Sequence, residues 1–396
     1  MPLIPLRPLL EATRKHGFAQ GAFNVNSVVQ AQAVIEVHEM FRSAGIVQGA
    51  DLANAFMGGR ADFMKGTIED KRRGARRIGE AVKKLAQDSP IPIVLHLDHG
   101  KDFESVKAAI AGGYTSVMID GSPLPFDENV ELTREVVKYA HARGVSVEGE
   151  LGVLSGMEDD VFSEHSTYTN PLKAVEFFKK TGVDCLAISY GTKHGAVKGE
   201  NVRLRKEIVI AVAENLKHEG IFGVLVSHGS SVVPQYIVEE INQLGGKISQ
   251  AHGIPLDELK SVIKSGIGKI NVDTDIRLAV TRNIREYFAR NSSKKRNSVA
   301  EAVSTIWELM ERNPEQFDPR EYLTPIMEDF IVGEGKDFAG KGSVGDIRDI
   351  LACVKSGVRE VVGSLIVEFG AVGHAAQVEV VSLDEMANRY RCMPTC

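Results

Sequence analysis

The stretch Ile91-Pro92-Ile93-Val94-Leu95-His96-Leu97-Asp98-His99-Gly100 runs through mainly apolar residues and then stops on an acid, an imidazole and a glycine. A near-continuous apolar run of this length suits a strand buried on both faces, since a half-exposed strand would alternate. The same reading places strands at 21–26, 45–48, 91–98, 116–120, 145–151, 184–189, 222–227 and 269–272. Between them fall helix patterns at 28–41, 127–143, 171–180 and 205–217. Asp127 and Asn170 are the expected N-caps, and Gly144, Gly182 and Gly220 stand where a helix stops before the next strand. Eight strand–helix units point to an α/β fold, a closed (β/α)8 TIM barrel, over a doubly wound sheet.

At 396 residues the chain is longer than the roughly 250 of a typical barrel. The surplus falls in two places. One is the charged segment 50–88, with a helix pattern over 67–86. The other follows about residue 330, where a glycine-rich stretch, 332–345, precedes helix patterns at 346–355 and 359–369. We expect a barrel domain over 1–333 and a helical C-terminal extension over 334–396, read as an arm for oligomerisation or surface packing. Lys and Arg number 47 against 53 Asp and Glu, a net charge of −6 with both signs scattered. That balance argues against nucleic acid or an anionic membrane as the main partner. The start, Met1 to Arg7, is too short and too broken by proline for a signal peptide, and no apolar run reaches the ~18 residues of a membrane span. Four cysteines (Cys185, Cys353, Cys392, Cys396) do not make a disulfide framework in so long a chain. A reduced, cytoplasmic protein is expected.

In a barrel the site forms at the C-terminal strand ends. There the sequence places Asn24 and Asn26, then Asp98 and His99, Asp120, Glu148 and Glu150, His194 after Tyr190-Gly191-Thr192-Lys193, Ser227-His228-Gly229, and Asn271 with Asp273 and Thr274. A histidine taken singly reads as a hydrogen-bonded structural residue. Three at equivalent strand ends (His99, His194 and His228) can converge on one ion, and three neutral imidazoles with an open position suit catalytic Zn²⁺. Asp98, beside His99, is either a proton donor tuned by a metal or a turn-capping acid. Asp120 and Glu150 are either outer groups of a metal site or halves of buried ion pairs. His96, three residues before His99, is read as packed. The small residues of Gly195, Gly229-Ser230-Ser231 and Asp273-Thr274 would let backbone N–H groups approach a phosphate.

The strings Ala22-Phe23-Asn24-Val25-Asn26, His96-Leu97-Asp98-His99-Gly100, Ser116-Val117-Met118-Ile119-Asp120, Val147-Glu148-Gly149-Glu150-Leu151-Gly152, Glu158-Asp159-Asp160, His228-Gly229-Ser230-Ser231 and Asn271-Val272-Asp273-Thr274-Asp275 resemble the class II, zinc-dependent fructose-bisphosphate aldolases. The resemblance is collinear and covers about residues 1–330. It implies reversible aldol cleavage of fructose 1,6-bisphosphate to dihydroxyacetone phosphate and glyceraldehyde 3-phosphate. It also implies Zn²⁺ on His99, His194 and His228, with Asp120 and Glu150 for a second or displaced metal. Asp98 would protonate the aldehyde oxygen, Glu158 would remove the C1 proton, and Asn271 would contact the enediolate. Asn24 would help hold the mobile loop or the substrate. Gly195, Gly229, Ser230, Ser231, Asp273 and Thr274 would cradle one phosphate and Arg320 the second, in some members across a subunit interface. A monovalent cation (Na⁺ or K⁺) near the cradle and a homodimer or homotetramer complete the expectation. One departure is Ala50, where the family usually has serine. Two rival readings are a tagatose-bisphosphate aldolase and a non-catalytic barrel scaffold.

Overall fold

The computed structural model describes residues 3–158, 161–164, 166–198, 202–291, 301–333 and 345–393. Its strands in chain order are β1 (Gln20–Asn24), β2 (Gly45–Ala50), β3 (Ile93–Gly100), β4 (Ser116–Ile119), β5 (Ser146–Leu151), β6 (Gly156–Glu158), β7 (Val161–Ser163), β8 (Cys185–Ile188), β9 (Val224–Ser227) and β10 (Ile267–Val272). Eight of them close a barrel in the order β1-β2-β3-β4-β5-β8-β9-β10, with β10 returning to β1. Every pair in the ring is parallel. The eight expected strands are these eight, within three residues at each end. The antiparallel β6–β7 pair was not expected, because three residues per strand carry no readable period.

Local chemistry sets the helix ends. Asn170 accepts from Leu172 N (2.9 Å) and Lys173 N (3.2 Å), and Gly182 closes the same helix in the left-handed region at φ 72°. Asp127 is a correction: the helix Phe126–His141 starts one residue earlier behind Pro125, and Asp127 lies in its first turn, where its charge faces the positive helix end. The charged segment after β2 folds as two helices, Asp51–Met57 and Ile68–Asp88, the second opened by a Thr67/Asp70 capping box.

The two C-terminal helix patterns are one helix, Gly345–Glu368. Gly357 reads as a break in sequence, yet a Cβ there would lie 2.7 Å from the backbone of Ala279, so glycine serves close approach rather than termination. This helix packs against the helices Val28–Phe41 and Thr274–Arg290. Its residues Ile350, Val354, Val358, Val362 and Leu365 belong to the same buried core as the strands. Lys355 and Arg359 both bond Glu36. The last helix, Leu383–Cys392, reaches the N-terminal face of the barrel through Tyr390.

Candidate metal centre and active site

His99 sits at φ 45°, a left-handed conformation that costs a non-glycine residue on the order of 1–2 kcal/mol. The turn brings the side chains of neighbours Asp98 and His99 together with His228, where alternate strand residues would point apart. His99 Nδ1 donates to Asp120 Oδ2 at 3.0 Å, leaving Nε2 as a lone pair. His228 Nε2 donates to Glu148 Oε1 at 2.8 Å, leaving Nδ1. These two remaining nitrogens lie 3.2 Å apart. The His194 ring centroid is 5.4 Å from that of His99, and all three rings are buried. Glu150 Oε2 is 3.4 Å from His228 Nδ1 and is buried with no hydrogen-bond partner among the described residues.

Charges follow this crowding. Burial alone would lower the His99 imidazole, but Asp98, Asp120 and Glu150 around it raise it well above the ordinary histidine value. Burial and then the charge of Asp120 push the Glu150 carboxyl well up. Ligand atoms of Asp98, His99 and His228, and of His99, Asp120 and Glu150, lie within 4.8 Å of one another, two donor sets suited to a divalent cation among the described residues. Each imidazole is oriented by a carboxylate on its other nitrogen, as metal-ligating histidines are.

Asp98 is fully buried and held by amides. Its Oδ2 accepts from Asn24 Nδ2 (3.0 Å) and Gln48 Nε2 (3.3 Å), and its Oδ1 from Asn271 Nδ2 (2.8 Å). The small-residue loops meet beside it. Gly229 is left-handed at φ 59°, and a Cβ there would come within 2.4 Å of the Lys193 carbonyl oxygen, so the two loops touch only because it is glycine. Lys198 Nζ donates to the carbonyls of Gly229 (2.7 Å) and Lys193 (2.5 Å). Asp275 accepts from Val232 N (2.8 Å) and Val233 N (2.7 Å) and closes the loop after Ser231 from below. Ser230 Oγ bonds Ser227 Oγ at 2.5 Å.

Arg320, expected to take the second phosphate, is held by a carboxylate in this chain. It is 1% exposed, its Nη2 bonds Asp318 Oδ2 at 2.7 Å, and its guanidinium lies 4.1 Å over the Phe63 ring. Arg277 joins Asp318 (2.8 Å) to Asp273 (2.8 Å). In this chain Arg320 is tied to a buried carboxylate, Asp318. Glu158 ends β6, its backbone opposite Val161; its side chain, with Asp159 and Asp160, lies outside the described residues.

The family model described as "Fructose-bisphosphate aldolase class-II" matches residues 4–331. The chain belongs to this family. A fructose-bisphosphate aldolase of Giardia intestinalis is 37% identical over 399 residues, covering 99% of this chain and 100% of its own length. That of Treponema pallidum is 38% identical over 338 residues, covering 83% and 92%. Among solved structures, a fructose-bisphosphate aldolase from Campylobacter jejuni shares the fold at TM-score 0.64 and 20% identity, covering 94% of this chain and 97% of its own. Class II aldolases are metal-dependent lyases, and this chain is one of them.

Three residues around the candidate site escaped the sequence reading, Gln48, Lys198 and Lys269, and Glu148 was placed at the mouth without a role. Gln48 in β2, Glu148 in β5 and Lys269 in β10 stand inside apolar strands, each 0% exposed. The signal that finds them is the period of two: Glu148 is two residues from Glu150 and Lys269 two from Asn271, on the inward face. Lys198 carried no local signal. No helix among the described residues is long and apolar enough to cross a membrane.

Proposed function

We propose that this chain cleaves fructose 1,6-bisphosphate reversibly to dihydroxyacetone phosphate and glyceraldehyde 3-phosphate, with His99, His194 and His228 as the Zn²⁺ ligands. The observation that supports it most is the unpartnered, buried Glu150 Oε2 aimed at the meeting point of two imidazole nitrogens. An unpaired carboxylate oxygen in a protein core is costly, and a bound cation would offset that cost. Asp120 and Glu150 are assigned to a second or displaced metal position.

Bound Zn²⁺ supplies a Lewis acid for charge that develops on the substrate's ketone oxygen. The rest is done by side chains. Asp98, fixed by three amide donors, protonates the aldehyde oxygen in the condensation direction. Glu158 is assigned the C1 proton, because base and acid must be different groups. Asn271 offers its amide to the enediolate, and Asn24 steadies Asp98. Gly195, Gly229, Ser230, Ser231, Asp273 and Thr274 form the phosphate cradle. Arg320 is assigned the second phosphate through exchange with Asp318, the anion that now holds it. The resemblance also implies Na⁺ or K⁺ near this cradle, where Lys198 already bonds the carbonyls of Lys193 and Gly229, and no step is assigned to that ion.

The free cysteines Cys185, Cys353 and Cys392 suit a reducing cytoplasm. We assign the segment after residue 333 a packing role, since its described part shares the barrel's core, and the assembly a homodimer or homotetramer. The test is a coupled cleavage assay with and without a chelator. Activity lost on chelation and regained with Zn²⁺ is the expected result. Activity that survives chelation and is trapped by borohydride would overturn this reading in favour of a Schiff-base lysine.

A further inference from the structure

Barrel interiors are filled mainly by branched apolar residues in layers, and replacing a buried ion pair by hydrophobic residues is often neutral or stabilising. Against that background β10 buries a lysine. Lys269 is 0% exposed, and its Nζ lies 2.9 Å from Glu148 Oε2, 2.7 Å from Asn271 Oδ1 and 3.5 Å from His96 Nε2. A lysine inside an aldolase barrel invites a nucleophilic reading, but here the ammonium hydrogens are all directed at acceptors.

An ammonium has only donors, and this decides the polarity of everything it touches. The Asn271 side chain could otherwise face either way. With its oxygen on Lys269, the NH₂ group must point toward the site, where it donates to Asp98 Oδ1 at 2.8 Å. Glu148 gives one oxygen to Lys269 and keeps the other for His228 Nε2 at 2.8 Å. That bond places the His228 proton on Nε2 and leaves Nδ1 for a metal. His96 presents Nε2 as an acceptor and donates from Nδ1 to Ser116 Oγ at 2.8 Å. Burial and then the charge of Lys269 lower its pKa well below the ordinary value, keeping it neutral for that task.

We propose that Lys269 is a positioning residue of this site: its single buried ammonium orients the Asn271 amide directly and, through Glu148, the His228 ring. The proposal rests on the reading of His228 as a metal ligand and Asn271 as a substrate contact. It adds the groups beneath them that hold both in register.

The test pairs K269M with E148Q, so that no buried charge is left alone, in the full-length chain. Zn²⁺ affinity is read by competition with a chromophoric chelator, folding by the melting temperature, and turnover by kcat and KM for fructose 1,6-bisphosphate. Outer-shell partners of metal ligands are typically worth about 10–100-fold. A drop of that size in Zn²⁺ affinity and in kcat is expected, with KM within about twofold and the melt within a few degrees of the parent. A double variant that folds and keeps both affinity and kcat within twofold overturns the proposal. Should the double variant not fold, E148Q alone decides it: Gln keeps the shape and an acceptor for Lys269 but loses the charge on His228. Unchanged Zn²⁺ affinity in E148Q overturns the proposal, and a 10–100-fold loss supports it. The parent protein in the same titration separates the two failures, since a parent that binds no Zn²⁺ refutes the metal reading itself and this proposal with it.

Discussion

Both ends of the barrel bury charge, and they finish the arrangement differently. At the N-terminal face Asp184 is 0% exposed and accepts from Arg7 Nη1 (3.1 Å), His141 Nε2 (3.0 Å), Tyr390 Oη (2.9 Å) and Val147 N (2.8 Å). The His141 ring stacks on Tyr390 at 3.6 Å. Burial alone would raise the Asp184 carboxyl, yet His141 and Arg7 hold it below the usual range. At the C-terminal mouth Glu150 keeps an oxygen without a donor, two imidazole nitrogens face each other, and the carboxyl is pushed up. A satisfied network ties the N-terminal helix, two strands and the last helix together. An unsatisfied one of similar composition is a candidate receptor for a cation. Composition alone does not separate them; the count of donors against acceptors does.

This contrast can be broken by substitution at each end. H194A at the mouth is expected to lose at least about 100-fold in kcat/KM, several kcal/mol of transition-state stabilisation, together with bound Zn²⁺, while urea unfolding of the metal-free chain changes little. D184A at the other face should do the reverse. Removing one partner of a buried charge network costs about 3–5 kcal/mol, read by urea unfolding, with kcat/KM of the folded fraction within twofold. A D184A protein that folds fully but turns over tenfold more slowly would show that the two ends are coupled and that the N-terminal network belongs to the catalytic machinery.

The barrel and the histidines were legible for one physical reason. A strand buried on both faces must be apolar along its length and can turn polar only where it leaves the core, so Asp98, His99, Ser227, His228 and Asn271 announced themselves at the ends of such runs. The pairing of His99 with Asp120 was half visible, since both follow adjacent strands. Gln48, Lys269 and the partner of Glu148 were not, because a polar residue inside an apolar run gives no sign of its partner, and Lys269 meets Glu148 only when β10 and β5 face each other across the closed barrel. Gly357 misled for a related reason: its need arises from Ala279, far away in sequence. Arg320 carried its motif, but its burial under Phe63 depends on a segment more than 250 residues earlier.

Asp275 lies between the two cases and gives the smallest effect. It is buried beneath the loop after Ser231 and, among the described residues, is bonded by two backbone N–H groups, with the charge of Lys198 acting on it from further off. Burial, only partly offset by those bonds, raises its carboxyl to about 6, against about 3.9 in an unfolded chain. The native state therefore holds the extra proton between those values. The associated stability is fully present below about pH 4 and is lost as pH rises through about 6. Two units correspond to no more than about 3 kcal/mol. D275N carries no such proton, so parent stability minus variant stability, measured by urea unfolding at steps between about pH 4 and 6.5, should fall by up to that amount as pH rises. If the parent instead gains on the variant, the two N–H bonds outweigh burial. Asp275 would then belong with Asp184, as a carboxylate its surroundings want charged, and the phosphate loop would be braced by the same device as the N-terminal face.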